Sequence, residues 1–185
     1  YIATAVISAI EAMHYLHTLV PFVNIAISTV CLLAIFMFLT IMGIGESAKV
    51  ALVIFAFHII SLILLSVFCI FYIFTHGFET FNFNNAIPVE GSITMAIFLG
   101  FSAAMLGISG FESSANFVEQ QAPGVFPKTL RNMWVVVSIF NPLMAFLALA
   151  VMQIPEIKGN QETLLAHLGL ISSGLWLSTF ISIDA

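Results

Sequence analysis

Four ionisable side chains stand inside long apolar runs of this chain: Glu11, His14, His58 and Glu112. A charge held at the centre of a lipid bilayer costs about 2.5–3.5 kcal/mol or more, so such residues mark solute paths, proton relays or paired structural groups. Glu11 and His14 are three apart and share a helix face, where carboxylate and imidazole can pair as structure or stand beside a solute path. His58 is flanked by apolar residues on both sides. Histidine as a residue type changes charge near pH 6.5, which suits a proton carrier; the alternative is a buried neutral imidazole bonded to a neighbouring helix.

Glu112 closes the stretch Gly107-Ile108-Ser109-Gly110-Phe111-Glu112, which ends an uncharged run from Gly91 to Phe111. A run of that length can cross a bilayer, which takes about 20 helical residues. Yet two glycines and a serine fall within four residues, where a lipid-facing helix carries leucines, so a broken helix is expected here. In a membrane each freed N–H or C=O costs several kcal/mol unless protein or a water-filled cavity satisfies it. The half-helix ends carry roughly half a charge each and can hold the carboxylate or ammonium of a small solute. Gly107, Ile108, Ser109, Gly110 and Phe111 are therefore candidate solute-binding positions, with Phe111 either a lid or a packing residue. Glu112 can bond the freed N–H groups, gate the path beside them or face a cationic solute. The alternative for the whole stretch is a kink, or close helix packing through small residues.

The elements that must position these groups are membrane helices. The chain is 61% hydrophobic and 7% charged, with a mean hydropathy of +1.14, whereas about a quarter of the residues of a soluble domain are charged. An all-α fold of membrane-spanning helices is expected. The net charge of −5 comes without any basic cluster, which argues against nucleic acid as a partner. Cys31 and Cys69 sit singly in separate apolar runs, giving neither a disulfide framework nor a zinc site. No cofactor, metal or enzymatic chemistry is expected: there is no His/Cys/Asp cluster at ligand spacing, no Ser-His-Asp context and no nucleotide-binding loop.

Hydropathy and turn residues divide the chain into spans at about 1–19, 22–43, 50–75, 92–119, 132–152 and 168–185, within a single transmembrane domain. Polar loops are expected at 76–90 and 153–167, and Pro142 is expected to kink its helix. If the spans alternate, Lys49, Lys128 and Arg131 fall on one side, while Lys158 falls on the other among Glu79, Glu90, Glu156 and Glu162. The side richer in Lys and Arg is cytoplasmic.

Gly110-Phe111-Glu112 followed by Glu119, Pro123 and Phe126-Pro127-Lys128-Thr129-Leu130-Arg131 resembles the broken sixth helix and following loop of permeases of the amino acid–polyamine–organocation superfamily. Gly43-Ile44-Gly45-Glu46-Ser47-Ala48-Lys49-Val50 is similar to the turn between the fourth and fifth helices of its cationic-amino-acid-type members. The resemblance extends over essentially the whole chain. It implies a multi-pass transmembrane bundle of the LeuT-like inverted-repeat kind, seen from the end of the third helix to the start of the eighth, whose missing first helix supplies the other half of the site. It also implies a secondary transporter of amino acids or related amines, working by proton coupling or exchange, with the lipid bilayer around it and the plasma membrane as its expected location.

In that family a lysine of the fifth helix stands as far after the Glu-Ser-Ala turn as His58 does here, and it couples protons to solute movement. The resemblance thus makes His58 a candidate for proton coupling; Glu11 and His14 are further candidates by their depth in an apolar run. Because Gly-Phe-Glu also occurs in relatives with neutral substrates, it favours gating or structural bonding for Glu112. Two rivals stand: a potassium-type importer of the same superfamily, since backbone carbonyls at a broken helix can coordinate a bare cation, and a non-transporting membrane scaffold or receptor that keeps the fold.

Overall fold

A backbone surrounded by lipid closes its own hydrogen bonds only as a helix or a closed barrel, and the runs of Ile, Leu, Val and Phe here take the first course. The computed structural model describes residues 2–41, 47–88, 91–106, 115 and 118–185, and every regular element among them is helical. The helices are α1 (Ile2–Leu19), α2 (Ile25–Ile41), α3 (Ser47–His76), α4 (Glu79–Asn85), α5 (Ile93–Leu106), α6 (Val125–Val151), α7 (Ile154–Gly159), α8 (Leu164–Ser173) and α9 (Leu175–Asp184). Short 3-10 turns lie at Val118–Gln120 and Gln161–Thr163. Leu52–His76 and Val125–Val151 are each long and apolar enough to cross a membrane, and α2, α5 and α9 contain shorter apolar segments.

Several boundaries differ from those read off the sequence, each for a local reason. Helix α2 starts at Ile25 because Asn24 Oδ1 accepts the Ile27 N–H at 3.2 Å, capping the first turn. The preceding reversal is tied by His17, whose Nδ1 lies 3.0 Å from the Val23 carbonyl oxygen. Helix α6 starts at Val125, seven residues before the expected Asn132, and takes in Pro127. A proline in the first turn removes an N–H that has no partner there anyway. The same helix runs on through Pro142 to Val151. The expected loops at 76–90 and 153–167 hold α4, α7 and the start of α8.

The last apolar segment, expected as a single helix from Leu168, is two helices. Gly174 separates them with φ 91° and ψ −170°, a backbone conformation open essentially to glycine alone. Its N–H still closes the last turn of α8 on the Leu170 carbonyl at 2.9 Å.

By contacts, residues 1–81 with 147–185 form one compact unit and residues 82–146 another. In the first, α8 and α9 fold back on each other and both pack against α3, while α1 packs against α2, α9 and the Gln161–Thr163 turn. Leu65, Cys69, Leu147, Met152, Leu168 and Leu177 are its fully buried centre. Phe68 and Trp176 meet edge to face at 5.1 Å, and Phe57 and Phe180 tilt together at the same distance, joining α3 to α9. Buried hydroxyls on these helices bond back into the helix that carries them: Ser61 to the Phe57 carbonyl at 3.0 Å, Ser66 to Leu62 at 2.7 Å and Thr29 to Ile25 at 2.8 Å. That is how a polar group is satisfied where no water reaches.

In the second unit, α5 exposes its residues from Ile93 to Ala104, and its Ser102 likewise bonds back to the Phe98 carbonyl, at 2.9 Å.

Candidate functional site

Two residues far apart in sequence meet where α3 passes the end of α9. Nδ1 of His58 lies 2.8 Å from Oδ2 of Asp184. An ionised carboxylate only accepts, so His58 Nδ1–H is the donor. The Asp184 side chain is 4% exposed and that of His58 44%. Asp184 Oδ1 is buried and has no hydrogen-bond partner among the described residues. His58 lies six residues, or about 9 Å at 1.5 Å per residue, inside the membrane-length segment Leu52–His76.

The packing around the pair follows from the sequence of α3 and α9. The Phe57–Phe180 contact stands beside it and fixes the register of the two helices. Ser182, two residues before Asp184 in α9, lies 3.3 Å from Thr18 of α1, hydroxyl to hydroxyl. A carboxylate out of water is costly alone and is held by a hydrogen-bonded cationic or polar partner. When His58 is protonated the pair is neutral overall; when it is not, one negative charge is left on Asp184.

The other expected residues fall in different places. Glu11 is exposed on α1 and makes no ion pair or hydrogen bond with His14 among the described residues. His14 instead faces Glu162 of the 3-10 turn, Nε2 to Oε2 at 3.8 Å. Helical spacing put Glu11 and His14 on one face, but tertiary packing gave His14 another carboxylate. His58 and His14 are thus held by different partners, and neither is bonded to Glu11. The stretch from Gly107 to Glu112, which carries the expected solute site and gate, lies outside the described residues, as does Glu46.

Asp184 was missed in the sequence although a signal for it exists. It stands in an apolar run that holds no other acid or base after His167, and so meets the same depth criterion as Glu112. A second pair was missed too: His167 Nε2 lies 2.9 Å from Glu156 Oε1. No group of three or more His, Cys, Asp and Glu suited to a metal ion occurs among the described residues.

Residues 1–185 match the family model described as Amino acid permease. No curated protein and no solved structure matches the chain.

Proposed function

The chain belongs to the amino acid permease family, and we propose on that premise that it moves an amino acid or related amine across a membrane as a multi-pass, proton-coupled secondary transporter. The observation that carries the coupling is the 2.8 Å contact between His58 and the buried Asp184. With its proton the pair has no net charge and costs less to shut away from water than a lone carboxylate does. Without the proton it leaves a buried anion, which favours a conformation that readmits water. Proton occupancy thereby biases the equilibrium between closed and open states, which is what coupling requires.

On this reading the solute sits at Gly107 to Phe111, with Glu112 as a gate on the cytoplasmic side; the grounds are two glycines and a serine within four residues of an uncharged run and the Gly-Phe-Glu resemblance. The cytoplasmic side is the one bearing Lys49, Lys128 and Arg131, by the excess of basic residues. The resemblance of the sequence Gly43–Val50 to a motif of cationic-amino-acid-type members supports a place for the chain near that branch, and with it a plasma-membrane location.

The test is uptake of labelled amino acids into liposomes containing the intact permease, under an imposed proton gradient, inside alkaline. Uptake above the level without a gradient, abolished by a protonophore, supports the reading. Uptake of potassium in place of every amino acid tried, or no uptake of either, contradicts it.

A further inference from the structure

Two histidine–carboxylate pairs that the proton site does not use tie down the loop between α6 and α8. His14 on α1 reaches Glu162 in the 3-10 turn at 3.8 Å, and His167 on α8 reaches Glu156 on α7 at 2.9 Å. Beside the first pair, the Tyr15 hydroxyl meets the Leu165 backbone at the start of α8. We propose that this loop is a pH-sensitive latch: protonated His14 holds the Gln161–Thr163 turn against α1, and loss of that proton frees it. The latch faces the external medium, a clause that rests on the orientation in the reading above.

The two distances differ in kind. At 3.8 Å no hydrogen bond forms, so His14 and Glu162 attract only through charge, and the attraction ends when the imidazole becomes neutral. At 2.9 Å a neutral imidazole with its proton on Nε2 still donates to Glu156, so that pair survives the same change and holds α7 and α8 together as one body. His14 is therefore the sensing group and His167 a brace. Of the titratable groups on α1 and the elements packed against it, α1 carries Glu11, Tyr15 and His17, the turn carries Glu162, α8 carries His167, already bonded to Glu156, and α9 carries Asp184, already bonded to His58. Helix α2 carries no Asp, Glu, Lys, Arg or His.

Glu162 is 64% exposed, so the contact is weak, as a reversible latch requires. An ion pair of that exposure changes the ratio of held to freed loop by about two- to fivefold. The movement bears on transport because α8, which follows the turn, packs on α9, and α9 ends in Asp184.

The experiment measures the distance from the loop to the α1–α2 reversal in the intact permease in liposomes. Nitroxide labels are placed on Phe22→Cys and Lys158→Cys, both exposed positions, in a background in which every native cysteine, Cys31 and Cys69 among them, is alanine. Distances are recorded by pulsed electron resonance as the outer pH is moved from about 5.5 to about 7.5, the range in which histidine changes charge, with the inner pH held, and then with the two reversed. The expected result is a short-distance population about two- to fivefold larger at the acid end, following outer pH alone. That response should vanish in His14→Gln and in Glu162→Gln and persist in His58→Gln. A pH response retained in His14→Gln, or none in the parent, overturns the latch and leaves the orientation untouched. A response that follows inner pH and is lost in His14→Gln overturns the external placement and with it the orientation, not the pairing.

Discussion

Gly169 lies so close to Ser178 that a Cβ on it would stand 3.2 Å from the Ser178 backbone nitrogen and 3.3 Å from the Leu177 carbonyl carbon. Helices α8 and α9 approach at this point with almost no side chain between them, as small residues allow in membrane proteins. Backbone atoms give way less readily than the end of a flexible side chain, so Gly169→Ala should destabilise the fold by about 1–3 kcal/mol, with Gly169→Leu worse. A thermal shift of the detergent-solubilised protein checks this, and an unchanged midpoint in Gly169→Leu would mean that α8 and α9 do not pack here.

The His58–Asp184 pair should show its coupling in stability as well as in transport. His58→Ala leaves Asp184 buried without its partner. Removing one member of a fully buried pair costs about 3–5 kcal/mol, and the half-exposed imidazole lowers the expectation here to about 1–3 kcal/mol. Asp184→Asn in the His58→Ala background should recover much of that loss, because the amide carries no charge. Additive losses in the double variant would show that the two side chains do not interact.

Orientation is open to a labelling test. Asn82 and Asn85 are exposed, and cysteines at these positions should react with a membrane-impermeant thiol reagent added outside intact cells. A cysteine at Gly124 should react only after permeabilisation. The reverse pattern would place Lys49, Lys128 and Arg131 outside, against the excess of basic residues expected of cytoplasmic loops.

At the expected solute site, Gly107→Leu with Gly110→Leu replaces bare backbone by bulky helix formers. Solute binding by the intact permease should be lost while membrane insertion persists. Normal binding in the double variant would reduce these glycines to packing residues.

The helices were legible in the sequence because lipid leaves an apolar run little choice of backbone. Their ends were less so. Pro127 reads as a breaker yet sits in a first turn, and the division at Gly174 depends on a φ value that hydropathy does not encode. Of the candidate site, His58 stood out by its depth in an apolar run and by its resemblance in place to the family's fifth-helix lysine, whereas Asp184, at a like depth, gave no sign of being its partner. Asp184 lies 126 residues further along the chain, and nothing local to either residue signals a contact made by α3 passing α9. The same limit explains His14, for which helical spacing offered Glu11 and packing supplied Glu162.

The most direct measurement of the central claim is amino acid uptake by the intact permease against external pH, from about 5 to about 8, across the range in which histidine changes charge. The parent, His58→Ala, His58→Lys and Asp184→Asn are compared side by side. In the parent, uptake should rise as the pH falls, because the neutral protonated pair is the form that can be shut away from water. His58→Lys should shift the profile to higher pH, since a lysine keeps its proton there. His58→Ala should flatten the profile, and Asp184→Asn should displace or flatten it by removing the charge that His58 faces. A profile unchanged in both His58→Ala and Asp184→Asn would contradict the account and reduce the pair to a structural contact between α3 and α9.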